Sequence, residues 1–385
     1  MNLIKKLKPG SNPGKHAHPE SKKLEEKFYL ASQWKLMWWK FLDHKVAVFA
    51  GIILILFYFV ALFCEMIAPY DPQHRDVHHI YAPPHEIHFI DDDGFHFRPF
   101  IYGYKLHVDQ ETLNRTYTED KTRRIPIKFW VQGDGYELWG FWKWNRHLFG
   151  VNVDEKFYFL GADRMGRDML SRIIYGSRIS LSIGLVGVTM SLLLGIVLGG
   201  ISGFYGGIID NVMQRLIEIL RSFPTIPLWL ALSAALPAHW SQLKVYFGMT
   251  VILSFIGWTG LARVVRGKLL ALREEDFAMA ARVAGVREFR IIMKHLVPSF
   301  TSHLIVSVTL AIPGMILAET SLSFLRLGLR PPTISWGVLL QEAQNVRTVA
   351  LHPWLLYPVL FVIVAVLMFN FLGDGLRDAS DPYSK

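Results

Sequence analysis

Long apolar runs alternate with polar segments along this chain, and their lengths predict helices that cross a membrane. The first run covers 46–69 and contains a single charged residue, Glu65. At about 1.5 Å per residue, it can cross a hydrocarbon core of about 30 Å. Further spans are predicted at about 179–203, 222–237, 245–262, 299–319 and 353–373. The pattern therefore predicts about six transmembrane helices.

The polar start of the chain predicts a tail followed by a helix in the lipid headgroup layer. Residues 1–27 contain no aromatic side chain and are too polar to bury a core. From about Tyr29 to Asp43, aromatic residues alternate with lysines, as in an amphipathic interfacial helix. Polar residues follow the first lysines, so no signal peptide is predicted. We assign 1–45 to the cytoplasmic tail and elbow helix.

About a hundred mostly polar residues separate the first two apolar runs, and we predict a small β-rich insertion over 70–160. Alternating apolar and polar positions flank DDDG at 91–94 and GDG at 133–135. This pattern predicts two hairpins that turn at these glycines. The remaining part, 161–385, would contain five spans and a loop at 274–298.

Small residues recur at every fourth position of the second predicted span. They allow a neighbouring helix backbone to approach closely, and plain helix packing is the favoured interpretation. These residues are Gly187, Ser191, Gly195, Gly199 and Gly203. Elsewhere, prolines predict kinks or broken ends in the third and fifth spans, at Pro224, Pro227 and Pro313.

Composition supports a membrane protein and removes several chemical functions. Hydrophobic residues make up 51% of the 385 residues and are concentrated in the long runs. The single cysteine, Cys64, excludes a disulfide framework and a Cys-based zinc or iron–sulfur site within one chain. The net charge of +9 lies beside the apolar runs, so we expect no nucleic-acid partner.

Lysines and arginines in the short loops predict the orientation of the chain. They number ten in 1–45, eight in 263–298 and two in 374–385, against one in 237–245 and three in 319–352. Positive residues accumulate on the cytoplasmic side of membrane proteins. Both termini are therefore expected in the cytoplasm, with the insertion on the far side.

The loop at 274–298 has the pattern of a segment that docks onto another protein. Acidic residues at 274–276 suit the positive end of a helix, which would run from Phe277 to Ala284. Gly285 suits the left-handed residue that ends such a helix. A second helix would then end before Pro298.

Ala280 and Ala281 keep the first helix slim enough to enter a groove on a partner, whereas a solvated linker helix is the alternative. Together with Gly285 and Pro298, they resemble the coupling loop of ABC importer permeases. The resemblance implies docking onto a nucleotide-binding subunit. Met279 stands where the family commonly has Glu. The interface residues are then Phe277, Met279, Ala280, Ala281, Gly285, His295 and Pro298.

Two further segments resemble the second permease subunit of the dipeptide and oligopeptide branch. The first is LGADRMGRDMLSRIIYGSRISL at 160–181, with Ala162 where the family usually has Thr. Its matching residues are Gly161, Asp163, Gly166, Arg167, Asp168, Ser171, Arg172, Gly176, Arg178 and Ser180. In a helix, exposed ion pairs worth about 0.3–0.5 kcal/mol each would form four residues apart. These pairs are Asp163 with Arg167, Arg164 with Asp168, and Asp168 with Arg172.

The second segment runs from Glu319 to the end and resembles the last external loop and final span, with Arg326 in place of the usual Gly. The resemblance covers 42–73 and 159–382, so 75–158 is an insertion relative to compact relatives. It implies an all-α integral membrane protein of the MetI-like ABC importer permease type, to which the alternation pattern adds a small β-rich extracytoplasmic insertion.

The resemblance implies a permease subunit of an ATP-driven, binding-protein-dependent importer in the bacterial inner membrane, with peptides as the default substrate. The expected partners are a second homologous permease, one or two ATP-binding subunits and an extracytoplasmic solute-binding protein. The chain has no GxxxxGK[ST] phosphate loop, so ATP and Mg are expected on the partner ATPase, with no cofactor or catalytic site here. The alternative function is an ion-coupled secondary transporter. The alternative substrates are nickel, opines or oligosaccharides.

Three other sets of residues have competing interpretations. Seven histidines between His74 and His107 suggest a metal site, but without HExxH or tight His/Cys spacing we favour ordinary surface histidines and predict no metal site. The tryptophans of the insertion are interpreted as a local core rather than a contact surface: Trp130, Trp139, Trp142 and Trp144. Charged residues near span ends are interpreted as paired interface residues rather than as a gate: Glu65, Glu218, Arg221 and Glu319.

Overall fold

The computed structural model describes residues 32–91, 94–111, 115–152, 155–237 and 239–380. The predicted tail, the first residues of the elbow helix and the tip of the DDDG turn lie outside these residues. Within them, five helices are long and apolar enough to cross a membrane, and a bent helix pair makes six if it counts as one span. The predicted fold class, a helical membrane protein with a small β-rich insertion, is confirmed.

Several of the spans are longer than the apolar runs alone predict. In chain order the main helices are α1 (Gln33–Asp43), α2 (Lys45–Leu62), α3 (Met169–Tyr205), α4 (Gly207–Ser222), α5 (Thr225–Ala234), α6 (Gln242–Leu272), α7 (Asp276–Val283), α8 (Thr301–Phe324) and α9 (Tyr357–Ser380). Short helical turns lie at Cys64–Ile67, Glu288–Arg290, Ile291–Leu296, Val297–Ser299, Trp336–Leu339, Leu340–Gln344, Val346–Leu351 and Pro353–Leu356. Helix α3 begins well before 179 because Asp168 caps it, accepting a hydrogen bond from the Ser171 N–H at 2.7 Å.

The third predicted span, 222–237, is wrong as a single crossing. Helices α4 and α5 meet at Phe223 and Pro224 with a bend of 86°. Pro224 disfavours a helical conformation at the preceding residue, and Phe223 is extended with ψ of 139°. Because α5 has only 10 residues, it covers about half of the hydrocarbon core.

The insertion contains two small antiparallel sheets. Strands β1 (His88–Asp91), β2 (Gly94–Val108) and β3 (Arg115–Pro126) form one, and β4 (Lys128–Leu138) and β5 (Trp142–Gly150) form the other. The hairpin predicted around DDDG is confirmed, since Asp91 pairs with Gly94.

The second predicted hairpin is wrong. The GDG sequence lies inside β4, where the register shifts between Gln132 and Tyr136, and the chain turns at 139–141 instead. A Cβ at Gly133 would lie 2.8 Å from the His147 ring, so this glycine allows a close approach rather than a turn.

The two ends of the bundle differ in what they carry. At one end, which we call the sheet end, the Tyr70 N–H donates to Ser171 Oγ at 3.1 Å, and the turn Cys64–Ile67 packs against β4 and β5. At the other, which we call the loop end, the segment 273–300 packs around Phe204 in the last turn of α3. Between them α3 packs against α2, α6 and α8.

Candidate functional site

Helix α7 ends in a Schellman arrangement at the loop end. The Gly285 N–H donates to the Arg282 carbonyl at 2.9 Å, and the Val286 N–H donates to the Ala281 carbonyl at 3.1 Å. Gly285 has φ of +73°, and no atom lies within 4 Å of where its Cβ would be. Glycine is therefore favoured here for its backbone conformation and not for space.

One face of α7 is fixed to the spans. Ala278 is fully buried beside Phe204. The Arg282 guanidinium lies 4.6 Å from the centroid of the Phe204 ring, a cation–π contact. Arg273 Nη1 donates to the carbonyls of Gly203 and Phe204 at 3.2 and 3.3 Å. Helix α7 is therefore attached directly to the last turn of α3.

The other face of α7 and the turn Glu288–Arg290 that follows it expose apolar side chains outside the spans. Val283 is 87% exposed and Phe289 is 68% exposed. We define the α7 surface as these two residues with three others that are also exposed: Phe277, Met279 and Ala280. Contiguous exposed apolar side chains of this kind are typical of a protein contact surface.

The α7 surface and the interface residues predicted from sequence overlap only in part. Ala281 is half-buried and packs toward the bundle with Ala278. Val283 and Phe289 were missed, although Phe277, Ala280 and Val283 recur at intervals of three, which places them on one helical face.

The segment after α7 widens into a π-helix. It covers Ile291–Leu296, and Pro298 lies in the next turn, so the second helix does not end before Pro298 as predicted. Proline lacks an N–H and crowds the carbonyl of the preceding turn, and a widened helix relieves both problems. His295 and Pro298 are exposed, whereas Ile291 and Leu296 are fully buried.

The ridge of small residues on α3 faces two other spans. The neighbours are Met315 for Gly187, Ser254 for Ser191, Leu261 for Gly195, Ala262 for Gly199 and Arg266 for Gly203. At Gly199, an added Cβ would overlap the carbonyl oxygen of Ala262 and lie 2.8 Å from its Cα. The backbones of α3 and α6 are therefore in direct contact at this point.

Of the three ion pairs predicted for a helical ladder, Asp163 with Arg167 is present, but it is buried rather than exposed, and 161–168 is not helical. Asp163 is fully buried, accepts a hydrogen bond from Arg167 Nε at 2.7 Å and also pairs with Arg172. Asp168 forms an ion pair with neither of its predicted partners, Arg164 and Arg172, and caps α3 instead. Removing one partner of a buried pair costs about 3–5 kcal/mol, about ten times the value of an exposed pair.

Glu342 joins this cluster to the segment after α8. Its carboxylate lies 3.3 Å from Arg164 Nε and 3.8 Å from Arg167 Nη2. Burial raises the pKa of Glu342 above its ordinary value, with the nearby Asp163 acting in the same direction and Arg172 opposing it. Ion pairs between Glu342 and the arginines therefore join the 161–172 segment to the 326–348 segment.

The glycines of the motif stand where other segments approach closely. Gly166 has φ of +70°, and a Cβ there would overlap the carbonyl of Asp76. A Cβ added at Gly161 would lie close to the Trp354 side chain, and one added at Gly176 would lie close to the backbone of Ser335 and Trp336. A larger side chain at Gly166 would separate the motif from the start of the insertion.

Two further carboxylates attach α3 to other spans. Glu65 forms a two-pronged pair with Arg178, with N–O distances of 2.6 and 2.7 Å. Glu319 is fully buried and accepts hydrogen bonds from three serine hydroxyls. The donors are Ser180, Ser323 and Ser335, at 3.1, 2.8 and 2.7 Å.

The insertion tryptophans do not form its core. Trp142 is 65% exposed and the other three are also exposed. The buried core consists instead of Ile101, Ile125, Ile127, Val151 and Phe157. The Trp139 Nε1–H donates to the Leu62 carbonyl at 2.8 Å, which places the β4–β5 turn at the end of α2.

Several histidines of the insertion contact ordinary partners. His79 and His96 lie 2.8 Å from Asp76 and Asp91. Among the described residues, one group brings three possible metal ligands within 4.8 Å of one another: Glu86, His88 and Glu119. Glu86 is exposed and Glu119 is partly exposed, and such acidic groups also occur together without a metal.

Comparison with known proteins assigns most of the chain. Residues 195–384 match the family described as binding-protein-dependent transport system inner membrane component. Residues 32–84 match the N-terminal transmembrane domain of oligopeptide transport permease C. A solved structure of the inward-facing methionine ABC transporter MetNI is 18% identical with a TM-score of 0.42, covering 55% of this chain and 97% of that chain.

Named relatives are more similar. The chain is 42% identical over 234 residues to the oligopeptide transport system permease protein OppC of Haemophilus influenzae, covering 59% of this chain and 71% of the relative. It is 37% identical to the dipeptide permease DppC of Bacillus subtilis, covering 58% and 68%. It is 35% identical to the glutathione permease GsiD of Pectobacterium atrosepticum, covering 68% and 84%.

The match over 195–384 includes the α7 loop and the final span. An importer permease of this kind is a non-catalytic subunit, and ATP hydrolysis occurs on a partner ATPase. The chain belongs to the binding-protein-dependent inner-membrane permeases, in their oligopeptide and dipeptide (OppC/DppC-like) branch, and is an integral permease subunit of an ABC importer.

Proposed function

We propose that this chain forms one half of a peptide-conducting pore and that its α7 surface docks onto an ATP-binding subunit. A second homologous permease forms the other half. The supporting observation is the α7 surface itself, because its exposed apolar residues lie outside the spans on a helix fixed to α3 and α6. Such a helix can both enter a groove and transmit force.

In this proposal the loop end and both termini lie in the cytoplasm, and the sheet end lies outside. The eight lysines and arginines in 263–298, against three in 319–352, support this orientation. A solute-binding protein then delivers substrate at the sheet end. The names of the relatives, which are permeases for oligopeptides, dipeptides and glutathione, support peptides as the substrate.

The proposed mechanism uses the contacts at the loop end. Closure of the ATP-binding subunits displaces α7 and the π-helix that follows it. Ala278, Arg282 and Arg273 carry the displacement to the last turns of α3 and α6. The spans α3, α6, α8 and α9, together with the α4–α5 pair, then move between outward and inward access.

Substitution of Val283 tests the docking step. Val283→Asp places a charge in the apolar contact, and we expect about a tenfold or greater loss of ATP-dependent tripeptide uptake in proteoliposomes. The ATP-binding subunit should also co-purify in reduced amount. Val77→Asp is the matched control, because Val77 is 65% exposed but lies at the sheet end. Normal coupled uptake by Val283→Asp would contradict the proposal, and uptake of nickel, an opine or an oligosaccharide in place of peptide would contradict the substrate assignment.

A further inference from the structure

A cavity of about 830 Å³ opens at the sheet end, between the 161–172 and 326–348 segments. Five arginines line it: Arg164, Arg167, Arg172, Arg326 and Arg330. Glu342 is the one carboxylate among the lining residues. Even when Asp163 behind the wall is counted, the arginines exceed the carboxylates by three. The cavity therefore carries a concentrated positive charge.

The carboxylates of Asp163 and Glu342 form ion pairs only with three of the five arginines, which we call the inner arginines. Asp163 pairs with Arg167 and Arg172, and Glu342 lies near Arg164 and Arg167. The outer two, Arg326 and Arg330, are exposed, and no ion pair to either is present within the described ranges. The Arg330 Nε–H donates to the Arg326 carbonyl at 3.1 Å, which holds the two arginines on one side of the opening.

One inner arginine also keeps an unused donor. Arg172 is 4% exposed, and its Nε–H has no hydrogen-bond partner among the described residues, although its Nη1 contacts Asp163. Buried donors are normally paired, because an unpaired N–H loses its bond to water without a replacement. An acceptor oxygen from a bound solute would supply that replacement.

We propose that this cavity binds the carboxylate of a small anionic solute, and that the C-terminal carboxylate of a peptide is the ligand in transport. The choice of a peptide rests on the proposed function. Arginine forks match the geometry of a carboxylate, and two guanidinium groups with no other counterion remain at the opening. The volume lies in the ordinary range of small-molecule sites, about 300–1,000 Å³. The cavity thus selects for a free carboxyl terminus at the sheet end of the pore.

Two peptides that differ only at the carboxyl terminus test the proposal. The full chain in nanodiscs of zwitterionic lipid is titrated at low salt with trialanine and with trialanine amide, and binding is followed by ligand-observed NMR. We expect trialanine to bind about tenfold or more tightly than the amide, since charge-assisted hydrogen bonds are lost in the amide. This preference should weaken as salt is added.

Variants locate the binding site. Arg326→Gln combined with Arg330→Gln should abolish the preference for trialanine, whereas Arg98→Gln combined with Arg347→Gln should retain it. The control arginines are exposed and do not line the cavity. Equal affinities of the two peptides for the wild-type chain, no binding of trialanine, or a preference that survives loss of Arg326 and Arg330 would each overturn the proposal. No ATPase is present, so these outcomes leave docking through the α7 surface unaffected.

Discussion

Arg326 illustrates how a single side chain can depart from the family pattern at a local cost. The sequence resemblance implies Gly at this position, and the φ of +62° at Arg326 is the left-handed conformation that glycine adopts easily. An L-residue there costs about 1–2 kcal/mol. The same substitution places a guanidinium at the mouth of the arginine-lined cavity. Arg326 therefore strains the backbone locally and adds a positive charge to a candidate binding site.

His85 is a residue at which buried structure and pH are directly linked. Its Nδ1 accepts a hydrogen bond from the Tyr158 N–H at 3.1 Å, and its ring lies 4.0 Å from that of Tyr104. Burial lowers the pKa of His85 from 6.5 to about 4, and the nearby His79 acts in the same direction. Only the neutral ring can accept the Tyr158 bond.

We therefore expect the insertion to lose stability in mild acid. Below pH 6.5 the unfolded chain binds a proton at His85 that the folded chain refuses until pH falls to about 4. Stability from this residue is complete above about pH 6.5 and falls by about 2 kcal/mol at pH 5. Thermal unfolding followed by tryptophan fluorescence at the two pH values measures this loss. His85→Asn retains an acceptor without titrating and should show a smaller acid loss, and an equal loss in both proteins would contradict the assignment.

At the scale of elements, the contact between α3 and α6 depends on the absence of side chains. Gly199 lies on the α6 backbone at Ala262, whereas Gly200, the next residue, has only ordinary contacts at 3.6 and 3.8 Å. The two glycines share a helix and a sequence context, but they point to different neighbours. They form a matched pair of positions.

Alanine at Gly199 should separate the two helices, and alanine at Gly200 should not. We expect Gly199→Ala to destabilise the protein by about 1–3 kcal/mol through overpacking. Gly200→Ala should be neutral or slightly stabilising, because alanine favours a helix. Thermal stability in detergent, read by size-exclusion chromatography after heating, distinguishes the two variants. Equal stability of both would show that α3 and α6 are not in close contact here.

The sequence predicted elements where one physical cue acts alone. An apolar run of sufficient length is enough for a span, and a glycine after an amphipathic stretch is enough for the α7 cap at Gly285. Predictions from sequence were wrong where contacts between distant residues determine the structure. Gly133 of GDG allows a close approach by His147, and Arg164 and Arg167 pair with Glu342, which belongs to a segment that no local spacing connects to them.

Residues of the candidate sites differ in the same way. Phe277 and Gly285 follow from helix periodicity and capping. The arginine cavity required the structure, because Arg172 and Arg330 are distant in sequence and come together only when the 161–172 and 326–348 segments fold against each other.

For the whole molecule, α3 is the element that connects the two candidate sites. Its 37 residues correspond to about 55 Å, longer than the hydrocarbon core. Its first turn lies in the charge cluster beside the arginine cavity, and its last turn contacts α7 through Phe204. A continuous helix of this length connects the arginine-lined cavity at one end directly with α7 at the other.

The most direct test of the account is a cross-link from the α7 surface to the ATP-binding subunit. Cys64 is the only native cysteine and is fully buried, so a cysteine introduced at the exposed Val283 has little background. With a photoactivatable maleimide, Val283→Cys in the assembled transporter should cross-link to the ATP-binding subunit, and Val77→Cys should not. Labelling of Val283→Cys from outside intact cells by a membrane-impermeant maleimide, with no adduct to the ATP-binding subunit, would contradict the account.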